Sequence, residues 1–156
     1  QGEPVAIFES GAILIYLAEK SGKFLPADAV GRYRVLQWLM WQMGGLGPMF
    51  GQVGFFVKFA GKEIEDPRPR QRYLDEAKRL LGVLDRQLES SDWVAGDYSI
   101  ADMAIGPWLA TINGFYGAGE LLGFDTFGNV MAYLARFQAR PAAQKAVNIP
   151  PLDCGA

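Results

Sequence analysis

Apolar residues recur along most of this chain at intervals of three and four, the spacing that lines one face of an α-helix. Residues 28–43 carry Val35, Leu36, Leu39, Met40 and Met43 in that pattern. Trp38 and Trp41 widen the stripe, and Asp28 stands where an N-cap belongs. Residues 70–88 give a cleaner helix, with Tyr73, Ala77, Leu80, Leu81, Leu84 and Leu88 on one side and charge on the other. Residues 100–112 are nearly all apolar, which predicts a helix at the centre of the core. A further amphipathic helix is expected over 127–137 and a short last one over 141–147. Residues 5–8 depart from this rule. They form a brief apolar run, read as a strand, that passes through Glu9 into a helix over 10–18 capped by Ser10.

The punctuation divides the chain. Ser21-Gly22-Lys23 stops the first helix, and Phe24-Leu25-Pro26-Ala27 makes an extended connector, because proline forces its predecessor out of helical geometry. Gly44-Gly45-Leu46-Gly47-Pro48 is expected to interrupt the next helix, which resumes over 49–60. A Pro-punctuated charged loop over 61–69 and a Gly-rich linker over 114–125 come after it. Pro150-Pro151 and the end of the chain read as a frayed tail, leaving Cys154 without a chemical role. One strand and one helix cannot complete a sheet. Residues 1–23 are therefore expected to be the last piece of an α/β domain cut at its N-terminal side, and residues 24–156 an all-helical domain. The fold class is mainly α.

Composition narrows the chemistry. A chain of 156 residues suits one domain and part of another. Its net charge of −2 argues against nucleic acid, which wants a basic surface. The absence of histidine and the single cysteine remove Ser-His and Cys-His nucleophiles, a His/Cys zinc site and any intrachain disulfide. No metal is expected, and a reducing cytoplasm is the default compartment. Residues 35–57 carry no charge and are long enough to span a bilayer. Their glutamines, glycines and Pro48 read better as a buried, interrupted helix, so no membrane partner is expected.

Candidate functional residues concentrate at 9–10. Glu9 offers an acceptor for an ammonium. Ser10 and the first turn after it offer a hydroxyl and free N–H groups for a carboxylate, at the positive end of the helix dipole. Together they suit an amino-acid head group; alternatively Ser10 only caps a helix and Glu9 is a solvated turn residue. Arg68, Arg70 and Arg72 cluster at another helix start, where cations are unfavourable unless an anion is near. Trp41, Met49 and Phe50 surround the glycine-rich break and serve either as core or as the floor of a pocket for an apolar substrate. Ser99 and Asp102 have capping-box spacing, with Tyr98 and Met103 placed to staple it, which gives Asp102 a structural task.

Three segments carry a family resemblance: Phe8-Glu9-Ser10-Gly11-Ala12-Ile13-Leu14, Trp93 through Gly96-Asp97-Tyr98-Ser99-Ile100-Ala101-Asp102, and Arg140-Pro141-Ala142. Together they resemble the cytosolic glutathione S-transferases over essentially the whole chain. Trp41-Gln42-Met43-Gly44-Gly45-Leu46-Gly47-Pro48-Met49 is similar to the bacterial nu-class branch of disulfide-bond reductases and peroxidases. The resemblance implies a thioredoxin-like domain joined to an all-helical one, a homodimer, and glutathione or glutathione disulfide as ligand. The second substrate would be an apolar electrophile, a disulfide or a peroxide. It implies that Glu9 and Ser10 hold the γ-glutamyl group and that Arg72 reaches toward the carboxylates. The family's thiol-activating residue lies upstream of Gln1, so this stretch alone is expected to be inert. The same fold also serves as a non-catalytic assembly module, which is the alternative function.

Overall fold

The computed structural model describes residues 5–149. Its helices are α1 (Ser10–Ser21), α2 (Ala29–Trp41), α3 (Gly47–Val57), α4 (Pro67–Gln87), α5 (Ile100–Ala110), α6 (Gly119–Leu122), α7 (Gly128–Gln138) and α8 (Pro141–Ala146). The expected strand is not formed. Residues 5–8 are irregular, with Val5 and Phe8 left 69% and 82% exposed, and no strand is present among the described residues. A strand exists only through a ladder with a partner, and none lies alongside. The tail with Cys154 lies outside the described residues.

Three further expectations change. The glycine-rich stretch after α2 does not break the helix: Gln42–Leu46 continues it as a π-turn that feeds directly into α3. Pro48 follows directly on that turn, where the hydrogen-bond register is already lengthened: the Gly47 N–H bonds to the Gln42 carbonyl five residues back. Nor is 114–125 a simple linker. A second π-turn (Thr111–Phe115), α6 and a 3₁₀ turn fill it, held down by buried Ala118, Leu122 and Phe124. In addition, α4 starts three residues earlier than the expected 70, because Asp66 accepts the Arg68 N–H at 3.0 Å and Pro67 opens the helix.

Elsewhere local chemistry and structure agree. Asp28 accepts the Gly31 N–H at 2.8 Å and caps α2. Gly22 closes α1 in the left-handed conformation (φ 66°), which costs glycine little. Helix α5 runs through the middle, with Ile100, Ile105 and Leu109 essentially without solvent exposure, and packs against α1, α2, the first π-turn and α7. The α3–α4 pair forms the other side of the same core. Gly106 permits close packing there: a Cβ on it would stand 2.6 Å from the Phe137 ring of α7.

The connector is fixed to this body. Phe24 adopts φ 66°, unusual for a residue with a side chain. Its carbonyl accepts the Ile100 N–H at 3.1 Å, satisfying a first-turn donor of α5, and its ring meets Tyr98 edge-on at 5.8 Å.

Candidate functional site

The candidate site is the amino-terminal tip of α1. Glu9 occupies the N-cap position with φ 70° and ψ 117°, a strained conformation for a non-glycine residue. This corrects the sequence expectation: Ser10 is the first helical residue, not the cap, and no side chain caps α1. The first helical bond runs from the Ile13 N–H to the Glu9 carbonyl at 3.0 Å. The N–H groups of Ser10, Gly11 and Ala12 therefore have no intrahelical acceptor. Glu9 and Ser10 are both exposed, and Glu9 forms no ion pair among the described residues. The tip thus pairs uncommitted donors at the positive end of a helix dipole with a free carboxylate one residue earlier.

The Ser10 hydroxyl instead donates to the Met43 sulfur at 3.8 Å, from the first π-turn. Met43 is not among the sequence candidates, because its helical spacing marks it as one more core position. A π-turn rotates the next stretch of helix relative to an uninterrupted α-helix, and such turns recur at functional sites. Beside it Gln42 is 2% exposed and its Oε1 has no hydrogen-bond partner, while its amide nitrogen and the Trp108 indole both lie where a Cβ on Gly47 would stand.

The arginine cluster separates into different roles. Asp66 takes up Arg68 through contacts of 2.6 to 3.0 Å, and this pairing holds the Asp66 carboxyl below its usual range. Arg72 is exposed and makes no hydrogen bond or ion pair among the described residues. Its charge joins Arg79, whose hydrogen bond is the larger cause, in lowering Glu76. Nothing bonds Arg72 to Glu9 or Ser10, although α4 packs on the π-turn that carries Met43.

Of the pocket candidates, Phe50 is 0% exposed and belongs to the core cluster, one of the two roles its sequence position leaves open. Trp41 and Met49 are half-buried, and Trp41 meets Trp38 edge-on at 5.0 Å. A cavity of about 820 Å³ lies at the other end of α1, among Phe24, Leu25, Arg32, Asp97 and Tyr98. No metal-binding group and no helix long and apolar enough to cross a membrane occurs among the described residues.

The capping box forms as expected, with Ser99 accepting from the Ala101 N–H and Asp102 accepting from the Ser99 N–H at 2.8 Å. Tyr98 packs on Phe24, Trp93 and the Arg140 guanidinium, 3.4 Å from its ring.

Comparison with known proteins gives consistent findings. Residues 48–141 match the family model described as Glutathione S-transferase, C-terminal domain. The disulfide-bond oxidoreductases YfcG and YghU of Escherichia coli (strain K12) are 52% and 43% identical over 109 and 145 residues. Those matches cover 69% and 91% of this chain but 50% of each relative, so the chain spans about half the length of the curated relatives it matches. A Pseudomonas putida glutathione transferase, solved with one glutathione disulfide bound per subunit, superposes with a TM-score of 0.94 at 60% identity. That superposition covers 95% of this chain and 64% of the other. Family model, relatives and architecture coincide: the chain belongs to the glutathione S-transferase family.

Proposed function

We propose that the protein containing this chain binds glutathione or glutathione disulfide through the α1 tip. It uses the bound tripeptide to reduce a disulfide or peroxide, or to conjugate an electrophile. Glu9 faces the γ-glutamyl ammonium, and the Ser10 hydroxyl with the open first turn of α1 holds the adjacent carboxylate. Arg72 serves a second carboxylate. The reacting thiol is the ligand's own, so this chain's contribution is to grip and orient. On this reading residues 1–23 belong to the glutathione-binding domain and 24–156 to the helical one, and the protein works in the cytoplasm.

One observation carries the reading. An exposed, unpaired carboxylate on a strained backbone stands one residue before a helix tip with uncommitted N–H donors. Strain of this kind persists where the surroundings impose it, often at binding sites. The related transferases solved with glutathione or its disulfide bound add support. A homodimer is part of the proposal: Val30, Tyr33 and Met40 leave an apolar stripe on α2 that is 71%, 69% and 51% exposed, suited to a second copy.

The test is calorimetric titration of Glu9→Ala and Ser10→Ala in the protein containing this chain. Each is expected to weaken glutathione binding about tenfold through loss of a charge-assisted bond. Unchanged affinity in both variants would overturn the assignment.

A further inference from the structure

Met43 lies closer to the proposed site than the sequence indicates. Its sulfur accepts from the Ser10 hydroxyl at 3.8 Å. A Cβ on Gly11 would stand 3.2 Å from both Cε and Cγ of Met43, so the absent side chain is what lets the thioether lie along the first turn of α1. Met43 is half-buried beside an exposed Ser10, which puts the sulfur at the rim of the site and within reach of a small solute.

We propose that Met43 is an oxidation-sensitive wall of this head-group site, and that its conversion to the sulfoxide by a peroxide lowers the affinity for glutathione. The inference rests on the glutathione reading above. In the step, a sulfur lone pair attacks one peroxide oxygen, an S–O bond forms and the O–O bond breaks. The second oxygen leaves and takes up the proton that the first gives up, becoming water, or an alcohol from an organic peroxide. Sulfur loses two electrons and the peroxide gains them.

A thioether is a weak acceptor and competes poorly for the Ser10 hydroxyl. A sulfoxide is polar, and its oxygen accepts hydrogen bonds strongly. Placed against the first turn of α1, that oxygen takes the donors a carboxylate needs. It also sets the negative end of a dipole where the anion would sit. A protein that turns over peroxide would meet this oxidant at its own site.

Met131 is 45% exposed, and Met40 is 51% exposed on the α2 stripe proposed above to meet a second copy, so both are removed from the readout. The experiment therefore uses the protein containing this chain with Met40→Leu and Met131→Leu. Glutathione affinity is measured by calorimetry before hydrogen peroxide treatment, after it, and after repair by methionine sulfoxide reductases. Peptide mass spectrometry tracks the oxygen gained at each methionine. Affinity is expected to fall about tenfold as Met43 converts and to return on repair. With Met43→Leu added, peroxide is expected to change affinity less than twofold, whatever the starting value.

The proposal is overturned if Met43 stays reduced while half-buried Met49 and Met103 convert, or if affinity holds after Met43 converts. It is equally overturned if the loss persists without Met43. Failure of the untreated protein to bind glutathione overturns the glutathione reading itself and this proposal with it. Binding without a peroxide effect overturns this proposal alone.

Discussion

The Tyr133 hydroxyl of α7 donates to the Asp102 carboxylate of α5 at 3.0 Å, across 31 positions of sequence and with both side chains 0% exposed. Asp102 also accepts from the Val94 N–H at 3.1 Å and from the N–H and hydroxyl of Ser99. The carboxylate thus joins α5, α7 and the preceding turn at one buried point. Burial and the Asp102 charge push Tyr133 well above its usual range, so the phenol stays a neutral donor.

Asp102→Ala is expected to cost about 3 kcal/mol, more than a cap alone, because it strands four buried donors together. Tyr133→Phe should cost about 1 to 2 kcal/mol. Urea unfolding of both singles and the double would reveal coupling between them. Additive losses would show that the bond contributes nothing.

Acid should act on the same pair. Burial is the largest influence on Asp102 and raises it above the ordinary 3.8, outweighing its four hydrogen-bond donors. The folded state then binds this proton more tightly than the unfolded chain. Its stabilising contribution is complete below pH 3.8 and is lost as pH rises through the raised folded value. Relative to Asp102→Asn, the wild-type protein should lose stability across that window and run parallel above it. A difference that grows with pH instead would contradict the sign.

Asp85 of α4 caps α7 from a distance. Its carboxylate accepts the Asn129 and Val130 N–H groups at 2.9 and 3.0 Å, while α7 has no cap of its own. Asp85→Ala should lower stability by about 1 to 2 kcal/mol. Hydrogen exchange should quicken first in the opening turn of α7. Loss spread evenly over the chain would argue for a different role.

Gly106→Ala should also destabilise, by about 1 to 2 kcal/mol, because the new methyl meets the Phe137 ring at 2.6 Å. The gain in helix propensity, about 1 kcal/mol, offsets only part of that strain. Thermal unfolding decides it: a stabilised variant would mean that the ring has room to move.

Much of this fold could be read from the residues. Tyr73 to Leu88 announced α4 by periodicity, and Ser99 with Asp102 announced the start of α5 by capping chemistry, because both signals are local. The strand at 5–8 could not be judged locally, since pairing depends on a partner elsewhere. The two π-turns stayed hidden because glycine, joined at the first by Pro48, signals a break, whereas the longer helical bonds that bridge it depend on the packing around it. Asp85 lies 44 residues from Asn129, so no spacing rule links them. At the candidate site the charge at Glu9 and the helix tip were legible. Met43 was not, because its approach to Ser10 depends on how two helices cross.

Arg72 offers the clearest functional discrimination. Glutathione disulfide has twice the carboxylates of glutathione, so Arg72→Ala should weaken the disulfide about tenfold and glutathione less than threefold. Titration of both ligands measures it, and equal losses would remove Arg72 from the site.

Phe24, with its carbonyl anchored to Ile100, gives the molecule a fulcrum. Through that bond and its ring contact with Tyr98 it moors the stretch after α1 to the opening turn of α5, so loosening it would free one end of each helix at once.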